Sequence, residues 1–128
     1  MVVGLGIDVV SVERIARALE RYGDRFRNRI LTPGEQADLA PRIGDPAVAL
    51  AGRFSAKEAA AKALGVPAVV WWHDVEVRRG ERGEPTLVLH GPAESHARRL
   101  GVSQWLVSIT HDAGVAAAVV ILESGGAP

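Results

Sequence analysis

Cysteine is absent from the 128 residues, which removes disulfides, thiolate zinc sites and cysteine nucleophiles at once. Aromatic residues make up only 5%, so the core has to be built from small aliphatic side chains on closely approaching elements. A net charge is lacking too: 15 basic residues balance 15 acidic ones. Without a global field there is no general attraction for nucleic acid, and a charged partner must be recognised by a local patch. No run is long and apolar enough to span a membrane. The stretch from Met1 to Ile7 has no basic start, and Asp8 interrupts it too early for a signal peptide. A cytoplasmic protein is the expectation. What is present, 48% hydrophobic and 23% charged residues, suits a single domain over 1–128 with a flexible tail at 124–128.

The elements follow from periodicity and punctuation. Val2 to Val9 reads as a buried strand whose two glycines imply close backbone approach. Ser11 is an N-cap for a helix to about Tyr22, with Val12, Ile15, Leu19 and Tyr22 as the inward stripe and Arg14, Arg17 and Arg21 on another face. Thr32-Pro33-Gly34-Glu35 is a capping box with proline at the first helical position, opening a short helix. Asp45-Pro46 opens a longer helix that runs to Leu64, where Gly65 ends it. Val69–Val77 and Thr86–His90 read as strands about a turn from Gly80 to Pro85, and Pro92–Leu100 as a helix. Two strands then follow, Trp105–Ile109 and Val115–Leu122, joined at His111-Asp112-Ala113-Gly114. The predicted class is α+β, a mostly antiparallel sheet packed against one long helix and a few shorter ones.

Three places carry possible chemistry. Arg53, Lys57, Glu58 and Lys62 crowd into less than three turns of the long helix. A solvated stripe of i,i+4 ion pairs explains them, and so does a partly buried site, because the intervening alanines let neighbouring backbone come close. Asp8 lies at the end of an apolar strand, as a cap interaction with the first helix or as one half of a site. If Asp8 and Glu58 meet, their repulsion calls for a cation between them. Mg²⁺ fits, since it takes oxygen ligands and completes its shell with water and phosphate, and Arg53, Lys57 and Lys62 would suit the phosphate oxygens. The third place is Ser108-Ile109-Thr110-His111-Asp112, where the histidine is either structural or functional. No G-x-S-x-G elbow accompanies it, which excludes a serine hydrolase of that type.

Together these segments resemble the holo-acyl-carrier-protein synthase family of 4′-phosphopantetheinyl transferases. The resemblance rests on Gly4-Leu5-Gly6-Ile7-Asp8-Val9-Val10-Ser11-Val12-Glu13-Arg14-Ile15, on Arg53-Phe54-Ser55-Ala56-Lys57-Glu58-Ala59-Ala60-Ala61-Lys62-Ala63-Leu64-Gly65, on Val107-Ser108-Ile109-Thr110-His111-Asp112, and on the loop Gly83-Glu84-Pro85. It implies transfer of phosphopantetheine from coenzyme A to a serine of an acyl carrier protein, leaving 3′,5′-ADP. Asp8 and Glu58 would hold Mg²⁺ at the pyrophosphate, and Lys62 would contact the phosphate, stabilising the charge that develops or protonating the leaving group. Arg53 and His111 would lie near the 3′-phosphate and Gly83–Pro85 beside the adenine, with Lys57 and Ser108 counted among the cofactor-binding residues. It further implies a homotrimer with sites between subunits, and an acidic carrier docking on Arg14, Arg17, Arg21 and Arg25 with Phe26 as an apolar anchor. A catalytically silent binding module and a Mg²⁺-dependent phosphohydrolase are the rival expectations. The chain differs from the family pattern at Val66-Pro67, with a short path to Trp71-Trp72, and at Glu84, where a lysine is usual.

Overall fold

The computed structural model describes residues 1–41, 44–67 and 71–125. In chain order these form β1 (Val2–Ser11), α1 (Val12–Tyr22), α2 (Asp24–Ile30), α3 (Pro33–Leu39), α4 (Pro46–Leu64), β2 (Val75–Arg79), β3 (Pro85–Leu89), α5 (Gly91–Arg99), β4 (Val102–Asp112) and β5 (Val115–Ser124). The predicted α+β class holds. All three strand pairings are antiparallel, in a three-stranded sheet of order β1-β5-β4 and a β2-β3 hairpin.

Helix α4 lies across the three-stranded sheet and is its main partner. It does so through glycine: a Cβ on Gly6 would stand 1.9 Å from the Ala59 carbonyl oxygen, and one on Gly4 would stand 2.8 Å from that of Ala63. The close approach expected of these glycines is therefore real, and Ala56, Ala59 and Ala60, all 0% exposed, are its counterpart on the helix. The larger core cluster joins them to Val75, Val77, Leu87, Leu89, Val120 and Leu122. We expect Gly6→Ala to lower the melting temperature by about 5 °C or more, because overpacking of this kind costs about 1–3 kcal/mol. An unchanged melting temperature would mean that strand and helix do not touch there.

Several boundaries depart from the sequence reading. Helix α2 was not expected; Gly23, at φ 57°, turns the chain after α1 and leaves room for one more short helix. Tyr22 is not on the inward stripe. It is 52% exposed at the end of α1, with the Arg21 guanidinium 5.3 Å from its ring centre, while Ile15 is the buried residue of that helix. Of the strand expected over Val69–Val77, residues 69 and 70 lie outside the described residues, Trp71 is irregular and 72–74 form a turn, so β2 begins only at Val75. His111 and Asp112 belong to β4 rather than to the turn, which needs only Ala113 and Gly114, both with positive φ. Ser124 is not frayed: it ends β5, and its N–H donates to the Met1 carbonyl at 2.8 Å. Residues 126–128 of the expected tail lie outside the described residues.

A buried polar network ties α3 to α4 and β2. The capping box forms as expected, yet Glu35 is 0% exposed and does more than cap. Its Oε1 accepts from the Thr32 N–H and from Lys57 Nζ, both at 2.8 Å, and its Oε2 accepts from the Val77 N–H at 2.8 Å. Beside it, Arg78 grips Asp38 through Nε at 2.7 Å and Nη2 at 3.2 Å, and the Arg79 N–H adds a bond at 3.1 Å. The Arg78 hydrogen bond holds the Asp38 carboxyl down at about 2, against the opposing effect of burial. With its folded value depressed, this carboxylate contributes stability that is complete above the ordinary aspartate range and is lost as pH falls through about 2. Asp38→Asn should therefore flatten the acid limb of the stability curve between about pH 4 and pH 2. Parallel acid limbs in chemical denaturation would contradict this.

One face of the three-stranded sheet is covered by α4 and the other is not. On β1, Val3, Leu5, Ile7 and Val9 are 44, 64, 63 and 60% exposed, and Leu106 on β4 is 46% exposed. Contiguous apolar surface of this kind marks an interaction site.

Candidate active site

Asp8 sits inside β1, opposite Ala118, rather than at a strand end. The cap of α1 is Ser11, whose hydroxyl accepts from the Arg14 N–H at 3.3 Å, so the alternative of Asp8 as a helix cap falls away. Its main chain is pinned to α4 instead, with the Ser55 hydroxyl donating to the Asp8 carbonyl at 2.9 Å. Its carboxylate, 13% exposed, receives Lys62 Nζ at 3.1 Å, and the same ammonium donates to the Ile7 carbonyl at 3.0 Å. The alternative of a solvated Glu58–Lys62 stripe is thus replaced by a contact from helix to strand.

Glu58 stands one turn before Lys62. Burial and then the Asp8 charge raise its pKa, with the positive charges of Lys62 and Arg14 acting in the opposite direction. The Asp8 and Arg14 charges thus both reach Glu58, and Arg14 of α1, read from the sequence only as part of a docking face, adds to the cluster. Among the described residues no three metal-ligating side chains converge. Two carboxylates and an ammonium do.

A second cluster lies elsewhere. Arg53, Gly83, Pro85, Ile109 and His111 line a cleft of about 220 Å³ between α4, the hairpin loop and β4. The structure thus brings together four of the residues expected around a nucleotide. Ile109 was missed, although strand alternation puts it on the same face as His111. The same alternation turns Ser108 the other way, exposed and paired with Val119, so Ser108 is not brought to the cleft. A larger, mainly apolar cavity of about 830 Å³ under α1, α2 and α3 shares Arg53, Ile109 and His111 with the cleft. Glu84 does not line the cleft; its carboxylate accepts from the Arg82 N–H at 3.1 Å.

Lys57 is the clearest correction. Expected beside phosphate oxygens, it is 1% exposed and fully engaged, with Glu35 at 2.8 Å and the Trp72 carbonyl at 2.6 Å. Burial lowers its pKa, and the Glu35 charge is the largest influence that raises it. It is an internal strut whose partner, Glu35, the sequence showed only as a capping residue.

The two clusters are not one pocket. Arg53 and Glu58 are five residues apart on α4, a rotation of about 140° around the helix. Asp8 and His111 lie on the two edge strands of the sheet with β5 between them. On α1, Arg14, Arg17 and Arg21 are all exposed, as is Arg25 on α2, with Phe26 partly buried beside it; Arg17 pairs with Glu13.

Residues 4–120 match the model of the 4′-phosphopantetheinyl transferase superfamily. The chain belongs to that superfamily. It is 53% identical over 125 residues to the holo-[acyl-carrier-protein] synthase of Solidesulfovibrio magneticus, covering 96% of this chain and 99% of that one. The crystal structure of the Neisseria meningitidis holo-[acyl-carrier-protein] synthase matches with a TM-score of 0.84 at 36% identity, covering 97% and 100% of the two chains. The Bacillus anthracis synthase in complex with CoA (3′,5′-ADP) matches with a TM-score of 0.78 at 36% identity, covering 98% and 99%. The chain thus carries two clusters along α4, one of Asp8, Glu58 and Lys62 and one around Arg53 and His111.

Proposed function

We propose that this transferase moves the 4′-phosphopantetheine group of coenzyme A onto a serine of an acidic acyl carrier protein, releasing 3′,5′-ADP, in a Mg²⁺-dependent reaction. The reading rests above all on the shared field of Asp8 and Glu58 beside the Lys62 ammonium. Relatives named for this synthase activity, at about half identity and nearly full coverage, support it. Residues 1–128 act as one domain. We place the protein in the cytoplasm, with its carrier and coenzyme A. Among the described residues no helix is long and apolar enough to cross a membrane.

The residues fit the metal. Two hard oxygen donors suit Mg²⁺, which keeps water and phosphate oxygens for the rest of its shell. When bound, it would neutralise charge on the pyrophosphate and orient it. The rest is work for the protein's own side chains. The carrier's serine oxygen attacks the phosphorus that bears the pantetheine arm, a new P–O bond forms, and the bond to the bridging oxygen breaks. The electron pair leaves on 3′,5′-ADP, where the Lys62 ammonium stabilises it. The serine proton passes to a base at the site, Glu58 or a water. Arg53 and His111 grip the 3′-phosphate, and Gly83 to Pro85 flank the adenine.

Since the two clusters face away from each other on α4, one coenzyme A is held by the metal-side cluster of one subunit and the nucleotide cleft of the next. The uncovered apolar face on β1 and β4 is the surface through which we expect three copies to close into a ring. The exposed arginines of α1 and α2 then receive the acidic carrier, with Phe26 as anchor. Reversing Arg21 and Arg25 to Glu, both apart from the Asp8–Glu58 cluster, should raise the KM for carrier about 10-fold or more and leave the KM for coenzyme A unchanged. The wild-type carrier KM should climb with salt. A salt-independent KM with normally binding reversal variants would put docking elsewhere.

The deciding experiment is the mass of an apo-carrier after incubation with enzyme, coenzyme A and Mg²⁺. A phosphopantetheine-sized gain that needs all three supports the reading. Release of 3′,5′-ADP without carrier would make the protein a phosphohydrolase, and nucleotide binding without turnover would make it a silent binding module.

A further inference from the structure

The stretch after α4, where the sequence departs from the family pattern, holds a feature that the proposed function leaves unused. Phe54 and Glu58 are four apart on α4 and share one stripe of the helix, which Ala61 continues. On this helix most neighbours are buried, Ser55, Ala56, Lys57, Ala59 and Ala60 among them, while Phe54 and Glu58 both keep part of their surface accessible. Against Phe54 lies Trp72, with ring centres 5.1 Å apart and planes tilted by 31°. Trp72 also remains partly exposed.

Its position is fixed from both sides. The Trp72 carbonyl accepts from the buried Lys57 ammonium at 2.6 Å, and the ring of the following His73 bonds the Asn28 carbonyl through Nε2 at 2.7 Å. Lys57 in turn is held by Glu35. The main chain that carries the indole is therefore braced by the charge network, and Phe54 backs the ring itself, which is what a positioning surface needs. The polar groups Asp8 and Lys62 stand toward β1 on one flank of Glu58, and the aromatic pair stands on the other. The pair packs on one side against the smaller core cluster with Ile15, Ile30, Leu31 and Leu50 and stays partly accessible on the other, with Phe54 one helical turn from Glu58.

We propose that Trp72, backed by Phe54, is the apolar wall along which the pantetheine arm of coenzyme A lies. The inference rests on the proposed transfer reaction and adds a positioning residue to it. The substrate has the matching polarity: a pyrophosphate for the Asp8–Lys62 side, then an uncharged arm that starts with a gem-dimethyl carbon suited to an aromatic face and continues through a hydroxyl, two amides and a thiol. An aromatic face supplies contact area at small cost in side-chain order. Holding the arm there fixes the direction in which the reacting phosphorus is presented to the incoming serine.

The test separates the arm from the nucleotide. In the full-length enzyme, Trp72→Ala should raise the KM for coenzyme A about 10-fold, as a missing apolar contact does. The inhibition constant of 3′,5′-ADP, which lacks the arm, should stay within about 2-fold of wild type, as should the KM for carrier. Trp72→Phe should restore most of the affinity for coenzyme A. If Trp72→Ala folds poorly, Trp72→Leu must show the same split between coenzyme A and 3′,5′-ADP. Equal loss for both ligands, a change confined to the carrier KM, or no change in any constant overturns the proposal. A wild-type enzyme that fails to modify any carrier counts against the transfer reaction instead. Calorimetry then decides the wall: Trp72→Ala must still weaken coenzyme A and spare 3′,5′-ADP, and equal affinities overturn it.

Discussion

Asp8→Ala and Glu58→Ala are each expected to cut transfer by about 10³-fold or more while leaving the fold intact, because in the proposed reaction each removes half of the charge that would hold Mg²⁺ at the pyrophosphate. The fold should survive for a local reason. The Ser55 hydroxyl bonds the Asp8 main-chain carbonyl, which alanine keeps, and the packing of β1 on α4 runs through Gly4, Gly6, Ala59 and Ala63. Glu58 is even the less comfortable member of the pair in the absence of a cation, since burial and Asp8 both raise its pKa. Its removal should therefore not destabilise the protein, and a slightly higher melting temperature is the expected sign. The isosteric Asp8→Asn and Glu58→Gln variants should lose activity almost as completely, since the charge rather than the shape is at stake. Transfer near the wild-type rate in any of the four, at saturating Mg²⁺, would sink the metal assignment.

Much of this site was legible before any geometry. The helix spacing put Glu58 and Lys62 on one face, and an aspartate in an apolar strand asked for a partner; the fold supplies it by laying α4 on the glycines of β1. Caps were equally readable: Ser11, Thr32 and Asp45 all accept the expected N–H, because an N-cap is decided by residues within one turn. What escaped was whatever depends on a distant neighbour. Lys57 looks like Lys62 in sequence, yet its side of the helix faces Glu35 from α3, so one lysine is an internal strut and the other is 55% exposed at the site. Glu35 was read as a cap alone, since nothing local announces that Lys57 and the Val77 N–H converge on it. Helix α2 was overlooked because seven residues carry too little periodicity to stand out. Ser108 was grouped with His111 by proximity in sequence, where strand alternation separates them.

Mixing two inactive variants is expected to restore about a quarter of wild-type activity, the strongest test of how the site is assembled. One variant carries Asp8→Ala and lacks the metal side; the other carries Arg53→Ala with His111→Ala and lacks the nucleotide side. Arg53 and Glu58 point about 140° apart around α4, and Asp8 and His111 occupy opposite edges of the β1-β5-β4 sheet. In the proposed ring, a substrate that touches both clusters joins two subunits. When the variants are co-expressed and assemble at random, a site works if its metal side comes from the second variant and its nucleotide side from the first. Each condition holds about half the time, so about one site in four is intact, whatever the number of subunits in the ring. Were each site formed within one chain, every chain would carry a fatal lesion, and the mixture would stay at the level of its parents. A control with all three substitutions on one chain, co-expressed with wild type, should also leave about a quarter of the sites working if sites are shared. Sites held within single chains would leave about half. The two mixtures thus predict about 25% and 25% for shared sites, against about 0% and 50% for separate ones. Transfer per subunit, measured by carrier mass, reads the difference directly.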